Sequence, residues 1–142
     1  VIKDSNVFAR IRRDVMFALS SKFALALYEM LAKRVNLRFK QFEVFELETL
    51  RSMLGVSQGK LSTWQHLRDR CLVTAVDQVN ELTDIGCAFE PVKTGRAVSH
   101  VRLMWWDKDF HAQADARRAR EAHSVSRKGK RASDGDTLSE GD

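Results

Sequence analysis

Seven polar side chains in this 142-residue chain are candidates to grip a polyanion by their type and spacing. Lys60, Ser62, Thr63, His66 and Arg70 lie in one short stretch, and Lys93 and Arg96 follow further on. On a helix turning ~100° per residue, Thr63, His66 and Arg70 stand at i, i+3 and i+7 and project together. An arginine fork bonds both acceptors of a guanine, while threonine and histidine reach bases or phosphates. Lys60 and Ser62 would stand where that helix starts, and there free N–H groups and the helix dipole favour a phosphate. Lys93 and Arg96 belong to a candidate hairpin tip that would hold a flanking backbone. One arginine, one histidine and one threonine also make an ordinary solvated helix face. Periodicity alone does not separate the two.

Other chemistries find no support. Gly55-Val56-Ser57-Gln58-Gly59-Lys60-Leu61 looks like a phosphate loop but is one residue short between its glycines. Leu61 also stands where a Ser/Thr would hold magnesium. There is no GxSxG and no HExxH. His66, His100, His111 and His123 lack metal-ligand spacing among themselves or with Cys87. His100 and Cys71 read as structural residues. Neither catalysis nor a cofactor is expected. Arg68 leans to the apolar side of its helix, where it would snorkel or pair with a carboxylate. Arg10, Arg12 and Arg13 form a further basic group without a defined orientation.

The elements that must position these residues follow from composition and pattern. The net charge of +5 and pI near 9.5 favour a polyanionic partner. Hydrophobic residues make up 44% and charged residues 30%, enough for one core with a solvated surface. No apolar run reaches the ~18 residues of a membrane helix. The start, Val1-Ile2-Lys3-Asp4-Ser5, is not a signal peptide and lacks a Met, so a fragment or processed chain is expected. Two cysteines without a CxxC pair suit a reducing, cytoplasmic setting. Residues 1–110 read as one domain. Residues 111–142 read as a charged tail, partly helical over Asp107 to His123 and disordered from Ser124.

Val7 to Arg12 has the partial alternation of an edge strand. Phe23, Ala24, Leu27, Tyr28, Leu31 and Val35 keep helical rhythm, predicting a helix over about 15–38 with a break near Ser20 and Ser21. Either serine can serve as N-cap. Phe42 to Leu47 predicts a short strand. Leu47, Leu50, Met53 and Leu54 predict a helix closed by Gly55, where positive φ is wanted. Ser62 and Gln65 form a capping-box pair ahead of a helix running to about Leu82, with Asp84 and Gly86 as stop signals. On it Leu61, Trp64, Leu67, Cys71, Leu72, Ala75, Val79 and Leu82 share one side, and Thr63, His66, Arg70, Thr74 and Asp77 the other.

Residues 88–92 and 97–103 predict a hairpin around Lys93-Thr94-Gly95-Arg96, with its centre at Thr-Gly. Pro91 puts its strand at a sheet edge. Of Trp105 and Trp106, one is expected to seal the core and the other to meet a partner. Helix, turn, helix and hairpin in this order spell an α+β winged helix: a helix-turn-helix followed by a β-hairpin wing.

Four short segments carry a family resemblance over about residues 7–108. Ser21 to Glu29 resembles the "SKYALxLYE" helix of iteron-binding plasmid replication initiator proteins. Glu48 to Val56 is similar to their "ExLRxLLGV" helix. Arg70 to Asn80 resembles their "RVLxxAxxEIN" stretch, with Gln78 replacing the usual acid. Pro91 to Val98 is similar to their "PxKxGRxV" hairpin. The resemblance implies the C-terminal of two winged-helix domains, with an N-terminal one preceding it that supports dimerisation. It also implies binding of double-stranded DNA at directly repeated origin sequences, origin opening and recruitment of host replication proteins. Carried over, the family's DNA contacts fall on Lys60, Ser62, Thr63, His66, Arg70, Lys93 and Arg96. The rival readings are a winged-helix transcription repressor and a winged-helix protein-assembly module that does not bind DNA. No membrane partner is expected.

Overall fold

The computed structural model describes residues 13–37 and 40–123. The expected strand over 7–12, Arg10 and Arg12 of the basic group, and the expected disordered stretch from Ser124 lie outside the described residues.

The predicted first helix is two helices, α1 (Arg13–Ala18) and α2 (Lys22–Val35). The break falls at the two serines, and each has a separate task. Ser21 is the N-cap, its hydroxyl accepting from the N–H groups of Phe23 (3.1 Å) and Ala24 (3.3 Å). Ser20 binds the side chain of Gln78, which donates to its hydroxyl at 2.8 Å and accepts from both serine N–H groups. A glutamine amide can do both at once. The residue that departs from the family pattern thus anchors the α1–α2 corner on a distant helix.

Strand β1 (Phe42–Glu46) leads directly into α3 (Leu47–Met53). Gly55 follows at φ +77°, as its position after the helix requires. The next helix, α4, runs through three consecutive segments: Trp64–Leu67, a π-helical turn Arg68–Leu72, and Val73–Leu82. Strands β2 (Ile85–Thr94) and β3 (Ala97–Asp107) form the hairpin. A further helix, α5, covers residues 110–123. The expected boundary between domain and tail thus falls at the first residue of α5.

The sheet has the order β1-β3-β2 and is antiparallel throughout. Pro91 therefore does sit on an edge strand. Both hairpin strands are longer than predicted, and the turn is centred one residue later. Thr94 pairs with Ala97, leaving Gly95 and Arg96 as the two central residues, with Gly95 at φ +67°. Positive φ at the first central residue is the need of a II′ turn, whose twist matches the strands it joins. Gly86 does not stop a helix. It lies in β2 opposite Trp106.

The core gathers the inward side of every element. Leu27, Tyr28 and Leu31 of α2, Leu50 of α3, Leu67, Leu72 and Val79 of α4, and Val101 and Leu103 of β3 are fully buried. Trp105 is buried and donates its indole N–H to the Lys40 carbonyl, while Trp106 stays half exposed, as expected of the pair. The buried side of α4 matches the predicted apolar side, with Val76 added and Trp64 and Leu61 only partly covered. Cys71 and Cys87 are buried, and burial pushes their thiols up to about 11 and about 12.

The far end of α4 is heavily tied. Asn80 donates to the Cys87 carbonyl (2.9 Å) and accepts the Cys87 N–H (2.8 Å), covering part of the open edge of β2. The Thr83 hydroxyl donates to the Val79 carbonyl (2.8 Å). Lys108 donates to the carbonyls of Asn80 and Thr83. Burial lowers the Lys108 pKa, and Asp84 opposes that shift. From α5, Arg120 donates to the Leu82 carbonyl (2.9 Å) and pairs with Asp14 of α1 (3.1 Å). Cations on the free carbonyls of a helix C-terminus complement its dipole.

Candidate nucleic-acid interface

The stretch between α3 and α4 is built by one arginine. Arg51, on α3, is only 9% exposed. Its Nε donates to the Leu61 carbonyl (3.1 Å), Nη2 to the Ser62 carbonyl (2.8 Å) and Nη1 to Glu48 (2.6 Å). The turn it closes contains Gly59 at φ +83° and Leu61 at φ +49°. Left-handed backbone is uncommon for a leucine, and two charge-assisted bonds hold the consecutive carbonyls of Leu61 and Ser62 in place.

This grip corrects the expected capping box. Ser62, with its carbonyl committed to Arg51, lies outside the helix. Thr63 takes the extended N-cap conformation, and its hydroxyl accepts the His66 N–H at 3.2 Å. Gln65 is exposed and plays no part in the cap. Trp64 packs edge-on against Phe89 of β2, with ring centroids 6.3 Å apart. The first turn of α4 is thereby fastened to the stem of the hairpin.

Lys60, Ser62, Thr63, His66 and Arg70 are all exposed, together with Thr74 and Asp77 further along the same helix. Arg68 is also exposed and bonds Asp69 (2.8 Å), so it pairs with a carboxylate as expected. The π-turn from Arg68 to Leu72 breaks the uniform ~100° step on which the sequence reading rested. Arg70 lies inside that turn and Thr63 ahead of it.

Lys93 and Arg96 are exposed at the far end of the hairpin. Lys93 adjoins an irregularity: Val92 pairs with His100 but Lys93 with Val98, so Ser99 is the extra residue. The Ser99 hydroxyl lies 2.7 Å from that of Thr94 and 2.8 Å from His100 Nδ1. His100 thus has the structural partner its position predicts. A bulge of this kind bends a strand and raises its twist, which aims the tip. The described residues contain no cluster of three or more metal-ligating side chains. None of their helices is long and apolar enough to cross a membrane.

Arg51 and Asn80 are the positioning residues that the sequence reading missed as such. Arg51 was within reach: Glu48 and Arg51 are an i, i+3 pair of opposite charge inside a motif already noted. The grip of Asn80 on Cys87 has no local signal.

Two helices joined by a connection over residues 54–63, the second leading into an antiparallel hairpin that a further strand extends, define a winged-helix domain. Residues 46–105 match the family model described as initiator Rep protein, WH2. The match begins at the last residue of β1 and runs through α3, α4 and β2 to Trp105 in β3. No curated protein matches the chain.

Proposed function

We propose that this chain binds double-stranded DNA at repeated origin sequences and so serves the start of plasmid replication, without catalysis or cofactor. The observation that carries the reading is the exposure of His66 and Arg70 on the early part of α4, in a segment that matches an initiator winged helix. Such a helix enters the major groove with its N-terminal residues on base edges. Lys60, Ser62 and Thr63 would hold the phosphate beside the helix start, and Lys93 and Arg96 the backbone along the hairpin. Host replication proteins, and a second copy of the chain, are the further partners this role calls for.

Binding of a duplex with tandem repeats and of a scrambled duplex, followed by fluorescence anisotropy, tests the proposal. Arg70→Ala is expected to cost about 1–3 kcal/mol on the repeats and to relax one base preference. Lys93→Ala and Arg96→Ala are expected to weaken both duplexes alike, each flattening the salt slope by about one unit. Equal losses on both duplexes for Arg70→Ala would remove it as a base reader. Repeat binding without melting of adjacent AT-rich DNA would favour a repressor.

A second reading, protein assembly, draws on the outer face of the sheet. Phe42, Val44 and Trp106 are each close to half exposed there. A chain that dimerises in size measurements yet ignores DNA at low salt would support it.

A further inference from the structure

Regular helical spacing puts Thr63, His66 and Arg70 in line, but the structure distributes the exposed face differently. Burial of Leu67, Cys71, Leu72 and Ala75 fixes the inward side of α4 across the π-turn. The extra residue in that turn leaves two exposed rows at four-residue spacing. One carries His66, Arg70 and Thr74, and its neighbour carries Gln65, Asp69 and Val73. Thr63 stands at the head of the helix with its hydroxyl taken by the cap.

In the second row, Asp69 is bound by Arg68. The Gln65 side chain makes no hydrogen bond with the described residues and stands beside His66 in the first turn. Its amide carries a donor and an acceptor side by side. That pair fits the N7 acceptor and N6 donor that adenine shows in the major groove.

We infer that Gln65 is a specificity-determining residue of this helix, reading an adenine next to the base read by Arg70. The inference rests on the duplex-binding reading above. It also moves base recognition away from Thr63, which keeps only its hydroxyl proton for a phosphate.

Selection of bound duplexes from a randomised pool by the full chain, followed by sequencing, tests it. The native chain is expected to return a consensus containing an adenine position. Gln65→Ala should lose preference at that one position, on the order of tenfold, and keep the others. Gln65→Glu should shift the position towards cytosine, whose N4 amino group donates to a carboxylate. Neither change should move the thermal unfolding midpoint, because Gln65 packs against nothing in the core. If the alanine variant unfolds early, the isosteric glutamate variant carries the test. A native consensus that Gln65→Ala and Gln65→Glu leave unchanged, or weaken evenly at every position, overturns the inference and spares duplex binding. No consensus from the native chain overturns both.

Discussion

The Arg51 guanidinium donates to the carbonyl of Leu61, a residue held at φ +49° just ahead of α4. Ten residues separate them in the chain, and their bond decides where α4 begins. Without it, the Leu61 and Ser62 carbonyls lose a charged partner and Glu48 loses its counter-ion.

Arg51→Ala is expected to destabilise the domain by about 1–3 kcal/mol, because the two carbonyls lose charge-assisted bonds. Arg51→Lys keeps the charge but not the fork. It should retain most of the stability and still lose discrimination between repeat and scrambled duplexes. Denaturant unfolding and anisotropy on the same samples check both. A lysine variant with native discrimination would show that charge alone suffices at this position.

Gly86 allows no side chain. A β-carbon there would collide with Nε1, Cε2 and Cζ2 of the Trp106 indole. Gly86→Ala should therefore expel the ring and cost about 1–3 kcal/mol. A shift in tryptophan emission is expected with it. The penalty should shrink when Trp106→Ala is combined with it, since the clash goes with the ring. Additive losses in that double-mutant cycle would deny the contact.

Asn80→Asp tests the edge clamp. An ionised carboxylate still accepts the Cys87 N–H but cannot donate to the Cys87 carbonyl, and it faces that oxygen with a negative charge. A loss of about 1–3 kcal/mol is expected. Faster amide exchange over 85–88 should accompany it. Unchanged exchange there would show that the clamp does not hold β2.

Glu43 gives the fold an acid-sensitive contact. Burial opposes its ionisation, but hydrogen bonds from Lys40 and Arg34 outweigh that and hold its carboxyl below the ordinary carboxylate range. The folded chain thus binds fewer protons here than the unfolded chain just below the usual carboxylate pKa. The stabilisation is complete above that pKa and is lost as pH falls through the lowered one. Glu43→Gln should remove about 0.2–1 kcal/mol at neutral pH and less in acid. Equal losses at pH 7 and pH 3 would exclude the linkage.

Much of this fold is readable from local pattern. The rhythm of Phe23 to Val35 marks α2, Gly55 closes α3, and Pro91 assigns β2 to an edge. Each rests on a residue acting on its own neighbourhood. The features that escaped depend on partners distant in sequence. The pairing of Phe42 with Met104 joins segments that nothing local relates. The helix start moved to Thr63 because Arg51 holds Ser62 from another helix. The π-turn has no sequence signature, so the face read as Thr63, His66 and Arg70 omitted Gln65. The docking of α5 through Arg120 was likewise invisible in a stretch rich in alanine and arginine.

The two ends of α4 are held unequally. Asn80, Thr83, Lys108 and Arg120 nail down its tail, whereas its head hangs on the Thr63 cap, one guanidinium and the contact of Trp64 with Phe89. The helix is a cantilever, clamped at its Leu82 end and held by fewer bonds at its Thr63 end. Thermal motion should grow from Leu82 back to Ser62. The head can then adjust its angle without disturbing the root, and the π-turn lies where such a beam bends.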